Sequence, residues 1–248
     1  STPEPSDAAY IFDIDYGQVY YQYEDTDEAI SILQNQFMIA IKAAGVWAKL
    51  DVLCVFIGSG DNAANVDWKR LSEVTNIHCV FDTTQGFIGD SSITAYINTN
   101  FAATAGTNFT QNNASRYFFP YAFSGAGPMD GSIQGGAGSR NKMLLNDSTS
   151  HKINQSGAVP LSSTFEYTTT VQPKSIHRTS ATNVTLFNGT TSANRTAVSF
   201  ALSAVNLYIL RDFNDFSNHT VAAYAAGASM VAENTAFLAA WNTYITAL

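Results

Sequence analysis

Two kinds of apolar spacing alternate along this chain. In residues 8–23, Tyr10, Phe12 and Ile14 alternate with Ile11, Asp13 and Asp15, and Gly17 precedes Val19-Tyr20-Tyr21. That pattern predicts a short strand, a glycine turn and a second strand. The acidic start Asp25-Thr26-Asp27-Glu28 follows, and Ile30, Leu33, Phe37, Ile41 and Ala44 then recur at helical spacing. Acids favour a helix N-terminus, and Lys42 followed by Gly45 supplies a stop, so a helix is predicted over 27–44.

After Trp47 the character changes. Val52 to Ile57 is a continuous apolar run that ends at Gly58-Ser59-Gly60-Asp61-Asn62. Short β-like runs then lie near 76–81, 94–98, 116–123, 142–145, 165–171, 183–187, 198–202 and 206–210, with turn residues between them. The six glycines of 124–139 read as a flexible loop or a loosely paired edge. Phe237, Ala240, Trp241, Tyr244, Ile245 and Leu248 form a final stripe, which predicts a helix near 233–247 packed on the parent domain. The pattern predicts a mostly β fold: an antiparallel two-sheet sandwich of jelly-roll type over about 50–226, with an N-terminal and a C-terminal amphipathic helix on it. Phe37, Ile41, Trp47, Phe56, Phe87, Tyr96, Trp241 and Ile245 are expected inside.

Composition narrows the function. Only 13% of residues are charged, about half the usual share, so Asn, Thr, Ser and Gln must supply the polar surface. Twelve Lys and Arg against 20 acids give a net charge of −8, and no run of cations occurs along the sequence. Nucleic-acid binding needs such a footprint and is not expected. No apolar stretch approaches a membrane span. The start Ser1-Thr2-Pro3-Glu4-Pro5-Ser6-Asp7 reads as the end of a tether rather than a signal peptide. Residues 1–24 are therefore expected to be a linker and docking arm, and 25–248 the folded domain. Cys54 and Cys79 fit no metal motif; they read as two buried thiols, with a disulfide the alternative if their strands are neighbours.

At this point a family becomes visible. Lys42-Ala43-Ala44-Gly45-Val46-Trp47-Ala48-Lys49-Leu50-Asp51 resembles the helix-to-strand entry of phage and prophage proteins with a laminin-G-like, concanavalin-A-like jelly-roll domain. Val55-Phe56-Ile57-Gly58, the stretch from Gln85-Gly86-Phe87 through Tyr96-Ile97 to Phe101, the hairpin Leu186-Phe187-Asn188-Gly189 and the ending through Trp241, Tyr244 and Leu248 follow in that family's order. The middle, 110–180, matches in texture only. The resemblance implies a jelly-roll fold and a virion setting. It implies no activity, because such folds host lectins, enzymes and spacers alike.

The chemistry in the sequence is sparse. The carboxylate array of fold-related glucanases is missing, and Glu166 is the clear acid within a predicted strand. His78, His151, His177 and His219 are scattered; His177-Arg178 is a weak candidate for a lyase base. Asp61, Asp67 and Asp90 are candidates for a calcium loop but read better as solvated acids. Eight Asn-x-Ser/Thr triplets occur, as expected by chance in so Asn/Thr-rich a chain. Two aromatic groups suggest binding. Tyr117, Phe119 and Tyr121 are candidates for stacking on glycans or at an interface, with core packing the alternative. Tyr10, Phe12, Tyr16, Tyr20 and Tyr21 are candidates for a docking arm, with folding back onto the domain the alternative. The expected function is a non-enzymatic bacteriophage virion surface protein without cofactor or metal, in contact with other virion proteins. A homo-oligomer is expected, a trimer first. The alternative is a lectin-like module for host-surface glycans, and a carbohydrate-active enzyme stands third.

Overall fold

The structure is a computed structural model that describes residues 12–23, 27–58, 60–133, 138–146, 151–156 and 165–248. Five helices occur there: α1 (Ile14–Tyr23), α2 (Glu28–Ala43), α3 (Val46–Lys49), α4 (Asp61–Ala64) and α5 (Asn234–Ala247). The strands pair antiparallel throughout. The larger sheet runs β14 (Thr191–Thr196), β13 (Asn183–Asn188), β12 (Lys174–Arg178), β8 (Ala114–Ala122), β18 (Thr220–Gly227), β1 (Leu50–Val55), β2 (Val66–Asp67) and β3 (Ser72–Glu73). Off that path, β6 (Gly86–Ile88) pairs with β18 and with β5 (Val80–Asp82). The smaller sheet runs β11 (Lys152–Ser156), β10 (Ser139–Leu145), β9 (Gly127–Ile133), β15 (Asn206–Ile209), β7 (Tyr96–Ala102) and β4 (Thr75–Ile77). A hairpin of β16 (Arg211–Asp212) and β17 (Asp215–Phe216) stands apart.

The domain has three layers. Between the sheets lies one apolar core, with Val52, Phe56, Phe118, Ile176 and Leu186 from the larger sheet against Ile97, Phe101, Met129, Met143 and Ile153 from the smaller. A second core fills the other face of the larger sheet, where Leu53, Val55, Tyr117, Phe119, Ala223 and Ala225 meet the helices. The central strands of the larger sheet are thus covered on both sides. All eight residues of β18 are buried, and all six of β1. That is why Val52 to Ile57 reads as an unbroken apolar run.

The two amphipathic helices are where periodicity puts them. Asp27 caps α2 by accepting the Ala29 and Ile30 N–H groups. Phe37 of α2 packs on Phe237, Trp241 and Tyr244 of α5. Of the residues expected inside, Phe37, Ile41, Phe56, Phe87 and Trp241 are buried, whereas Trp47, Tyr96 and Ile245 are half-buried.

Residues 8–23 depart from expectation: their described part forms helix α1, not two strands. Phe12, Tyr16, Val19 and Tyr20 recur at helical spacing, which the alternation of Tyr10, Phe12 and Ile14 masks, and long-range contacts select the helix. Tyr16 is fully buried and donates its hydroxyl to Gln34 Oε1 (2.8 Å). Lys42 of α2 pairs with both Asp13 and Asp15. Tyr10 lies outside the described residues, and Tyr21 is exposed.

The glycine-rich stretch also differs. Part of it is β9, paired on one side with β10 and on the other with β15. Predicted runs at 165–171 and 198–202 are not strands, whereas β11, β12, β14 and β18 lie outside the predicted runs. The β13–β14 hairpin is present, but its register pairs Asn188 with Thr191 and leaves Gly189-Thr190 as the loop. Gly189, with φ +62°, then takes the first central position, the place for glycine in a II′ turn. Cys54 and Cys79 are free, buried thiols.

Candidate functional site

The pleat of β8 disperses the first aromatic group. Tyr117 and Phe119 point to the helix layer, fully buried against Phe237 and, for Phe119, Trp241. Neither offers a face to a glycan. Phe118 and Arg116 point the other way, between the sheets. Arg116 pairs there with Asp130 of β9 (2.6 Å), which also accepts the Tyr224 hydroxyl (2.8 Å). Burial raises the Asp130 carboxyl above its ordinary pKa, and the guanidinium opposes that rise. Tyr121, past the register shift at Pro120, stays exposed.

The remaining sequence candidates are structural. His177 is fully buried; its Nδ1 accepts the Met230 N–H (3.2 Å) and its Nε2 lies 2.9 Å from Ser175 Oγ. The acceptor role of Nδ1 places the ring proton on Nε2, which donates to the serine. The imidazole therefore has no lone pair left to act as base toward Ser175, and burial pushes its pKa down to about 3. Arg178 donates to the carbonyls of Ile153 and Ala197. Asp67 is buried and accepts from Leu53 N, Lys69 N and Arg70 Nε, so it is no solvated loop acid. Asp90 accepts from Ser92 in a local turn, and Glu166 is exposed outside any strand. The Asp61 side chain lies outside the described residues. Among the described residues, no group of three or more His, Cys, Asp or Glu side chains is placed to hold a metal ion. Among them, too, no helix is long and apolar enough to cross a membrane.

A different site emerges on the outer face of the smaller sheet. In β7, Ile97, Thr99 and Phe101 are buried while Tyr96, Asn98 and Asn100 face outward. Asn98 pairs in register with Tyr208 of β15, and Tyr208 with Gly131 of β9. Gly131 has no side chain, and the β16–β17 hairpin lies across it. Leu210 and Phe213, at either end of β16, hold left-handed backbone, with φ +67° and +49°. Bulky residues rarely do so, and the cost is tolerated where the surroundings dictate the turn. Here Leu210 N–H donates to Met129 O, and Ser217 N–H to Leu210 O.

This turn delivers Arg211 to three rings. Its guanidinium carbon lies 4.4 Å from the Tyr96 ring centroid, 4.7 Å from that of Tyr208 and 5.4 Å from that of Phe216. Tyr96 and Tyr208 meet edge to face. Beside them Asn206 Nδ2 donates to Asn98 Oδ1 (3.1 Å). The same face gathers cations. Lys142 and Lys152 are register partners on β10 and β11, and Arg140 precedes them on the same side as Lys142. Burial first, and then the positive charges of Arg140 and Lys142, hold the Lys152 pKa below its ordinary value. Cations that form no run in sequence thus become a strip in the fold.

Asp212 and Asp215 are partners across the hairpin. Asp212 is 1% exposed and paired with Lys142, and burial raises its pKa. A glycosidase pair needs both carboxyls open to a cleft; Asp212 is closed beneath the hairpin. The platform offers rings, amides and one guanidinium, groups suited to stacking and hydrogen bonding. Sequence inspection passes over it because its residues come from four strands. The alternation of Tyr96, Asn98 and Asn100 with buried residues was the available signal.

No protein-family model and no curated protein matches this sequence. Among solved structures the chain is similar to the botulinum neurotoxin serotype D binding domain, with 13% identity and a TM-score of 0.53, over 79% of this chain and 52% of that one. The chain thus spans about half the length of that structure. It is also similar to domain 4 of AbnA, an extracellular arabinanase of Geobacillus stearothermophilus, in complex with arabinotriose. That likeness has 12% identity and a TM-score of 0.44, over 77% and 98% of the two chains. At these identities the likeness is one of fold: a mostly β, antiparallel sandwich.

Proposed function

We propose that this chain is a non-enzymatic glycan-recognition module carried on the outer surface of a bacteriophage virion, with a jelly-roll sandwich as its scaffold. One observation carries the recognition part: the outward platform of Tyr96, Tyr208 and Phe216 around Arg211, flanked by Asn98 and Asn206. Aromatic faces and edges pack on the apolar patches of sugar rings, and fixed amides and guanidinium groups bond their hydroxyls. The resemblance to phage laminin-G-like proteins supports the virion setting, and the fold likeness to a toxin binding domain is in keeping with a recognition role.

A purely structural role in the particle is the second reading. Ile14 and Tyr21 favour it, because both stand out from α1 at over three-quarters exposure and suit contact with another virion protein. A glycan array probed with the purified protein and with Tyr208→Ala separates the two. The recognition reading expects a defined set of bound glycans, lost in the variant. An array with no binding leaves the structural role and refutes recognition. Release of reducing ends from any bound polysaccharide, abolished by Asp215→Asn, would overturn the non-enzymatic assignment. Labelling of intact particles with an antibody to this chain tests the surface location.

A further inference from the structure

We infer that the platform selects acidic glycans, and that Arg211 is the residue that reads the sugar carboxylate. The inference rests on the glycan-recognition reading and names the class of sugar. Arg211 is set up for an anion in an unusual way. Its Nε donates to the Phe213 carbonyl (2.9 Å), which fixes the plane of the fork. The guanidinium carbon lies over the three rings, within 5.4 Å of each centroid. Among the described residues no other hydrogen bond and no ion pair reaches the Arg211 side chain, although the chain carries 20 acids against 12 Lys and Arg. The two terminal nitrogens are therefore uncommitted donors in a preset plane, the geometry that matches a carboxylate two bonds at a time.

The nearest acids do not compete for it. Asp212 is turned to Lys142 beneath the hairpin. Asp215 pairs in register with Asp212 and not with Arg211. Arg140 lies on the same face of the sheet, where Lys142 is already paired with Asp212 and Lys152 is 7% exposed. Rings and amides beside Arg211 add the surface that a sugar needs and a bare anion does not use. The shared chemistry is a carboxylate on a pyranose ring, as in a uronic acid or a sialic acid.

Calorimetric titration of the whole protein with trigalacturonate, its methyl ester, 3′-sialyllactose and lactose tests this. The expected result is binding of trigalacturonate or sialyllactose, whichever acid the site prefers. Methyl esterification, or the absence of the sialic acid, should weaken it by about ten- to a hundredfold, as loss of a charge-assisted pair does. Arg211→Gln should weaken the acidic sugar by a similar factor, and Arg211→Lys less. Arg211→Gln should weaken the acidic sugar by a larger factor than it weakens the ester or lactose. The ester series uses unaltered protein, so it holds even if a variant misfolds. Equal binding of acid and ester, both lost in Tyr208→Ala, would overturn the acidic preference and leave glycan recognition standing. No heat from any of the four sugars would overturn the acidic preference, and the glycan array then decides recognition itself.

Discussion

Gly131 lies directly beneath Arg211: a Cβ built on Gly131 would stand 2.9 Å from the Arg211 carbonyl oxygen and 3.0 Å from the Asp212 Cα. Both obstacles are backbone, so neither can swing aside. The glycine in β9 is what lets the hairpin lie flat on the sheet and bring Arg211 to its rings. Gly131→Val should lift the hairpin and lower stability by about 1–3 kcal/mol, the usual cost of overpacking. Glycan binding should fall with it. Equilibrium urea unfolding and titration with the bound glycan check the two effects separately.

Asp51 should prove a structural acid. Its carboxylate accepts the backbone N–H groups of Thr107, Asn108 and Phe109, the last at 2.6 Å, and ties that loop to β1. Asp51→Ala leaves these donors without their anion and should cost about 3 kcal/mol or more. Asp51→Asn keeps one acceptor oxygen and should cost less. Denaturant midpoints of the two variants give the order.

Helix α1 belongs to the domain. Tyr16→Ala removes a fully buried ring and its bond to Gln34, and should cost about 3 kcal/mol or more. Tyr21→Ala removes a ring that is 77% exposed and should leave stability nearly unchanged. If Tyr21 docks on a virion neighbour, the second variant should instead lower incorporation into particles. Thermal unfolding and particle composition read the two outcomes.

His177 and His219 should make the protein acid-sensitive. Burial pushes their pKa values down from 6.5, to about 3 and about 4. Above the unfolded value both are neutral in either state and add no pH dependence. Below it the unfolded chain takes up protons that the folded chain refuses, so stability falls as pH drops toward the folded values. Each histidine contributes roughly 1.4 kcal/mol per pH unit in that window. The buried acids Asp67, Asp130 and Asp212 have raised pKa values and act in the opposite sense. The test is therefore the difference between the wild type and His177→Gln: the variant should lose less stability between pH 7 and pH 5.

The two cysteines should be silent in the folded protein. Both are buried, and burial raises both thiols, Cys79 to about 12. A thiol reagent should find nothing at neutral pH and both groups after denaturation. Two equivalents in native buffer would contradict the burial.

Sequence by itself determined the class of fold and the two helices that flank it. Apolar residues at helical spacing over 27–44 and 233–247 admit few other structures, and Asp27 and Gly45 mark the first helix with local chemistry. Turn-punctuated apolar runs between them are enough to specify antiparallel sheets. Tertiary structure decided what local spacing leaves ambiguous. The alternation from Tyr10 to Ile14 competes with the helical spacing of Phe12, Tyr16 and Tyr20, and contacts with Gln34, Asn35 and Lys42 choose the helix. The Ala-rich β18 carries weak local β-preference and is a strand because it is covered on both faces. The platform was decided last and furthest from local chemistry. Tyr96, Asn98, Asn206, Tyr208, Arg211 and Phe216 come from four strands, and Lys142 and Lys152 from two more. Strand register alone brings them to one face, because a one-residue slip would turn each of those side chains into the core.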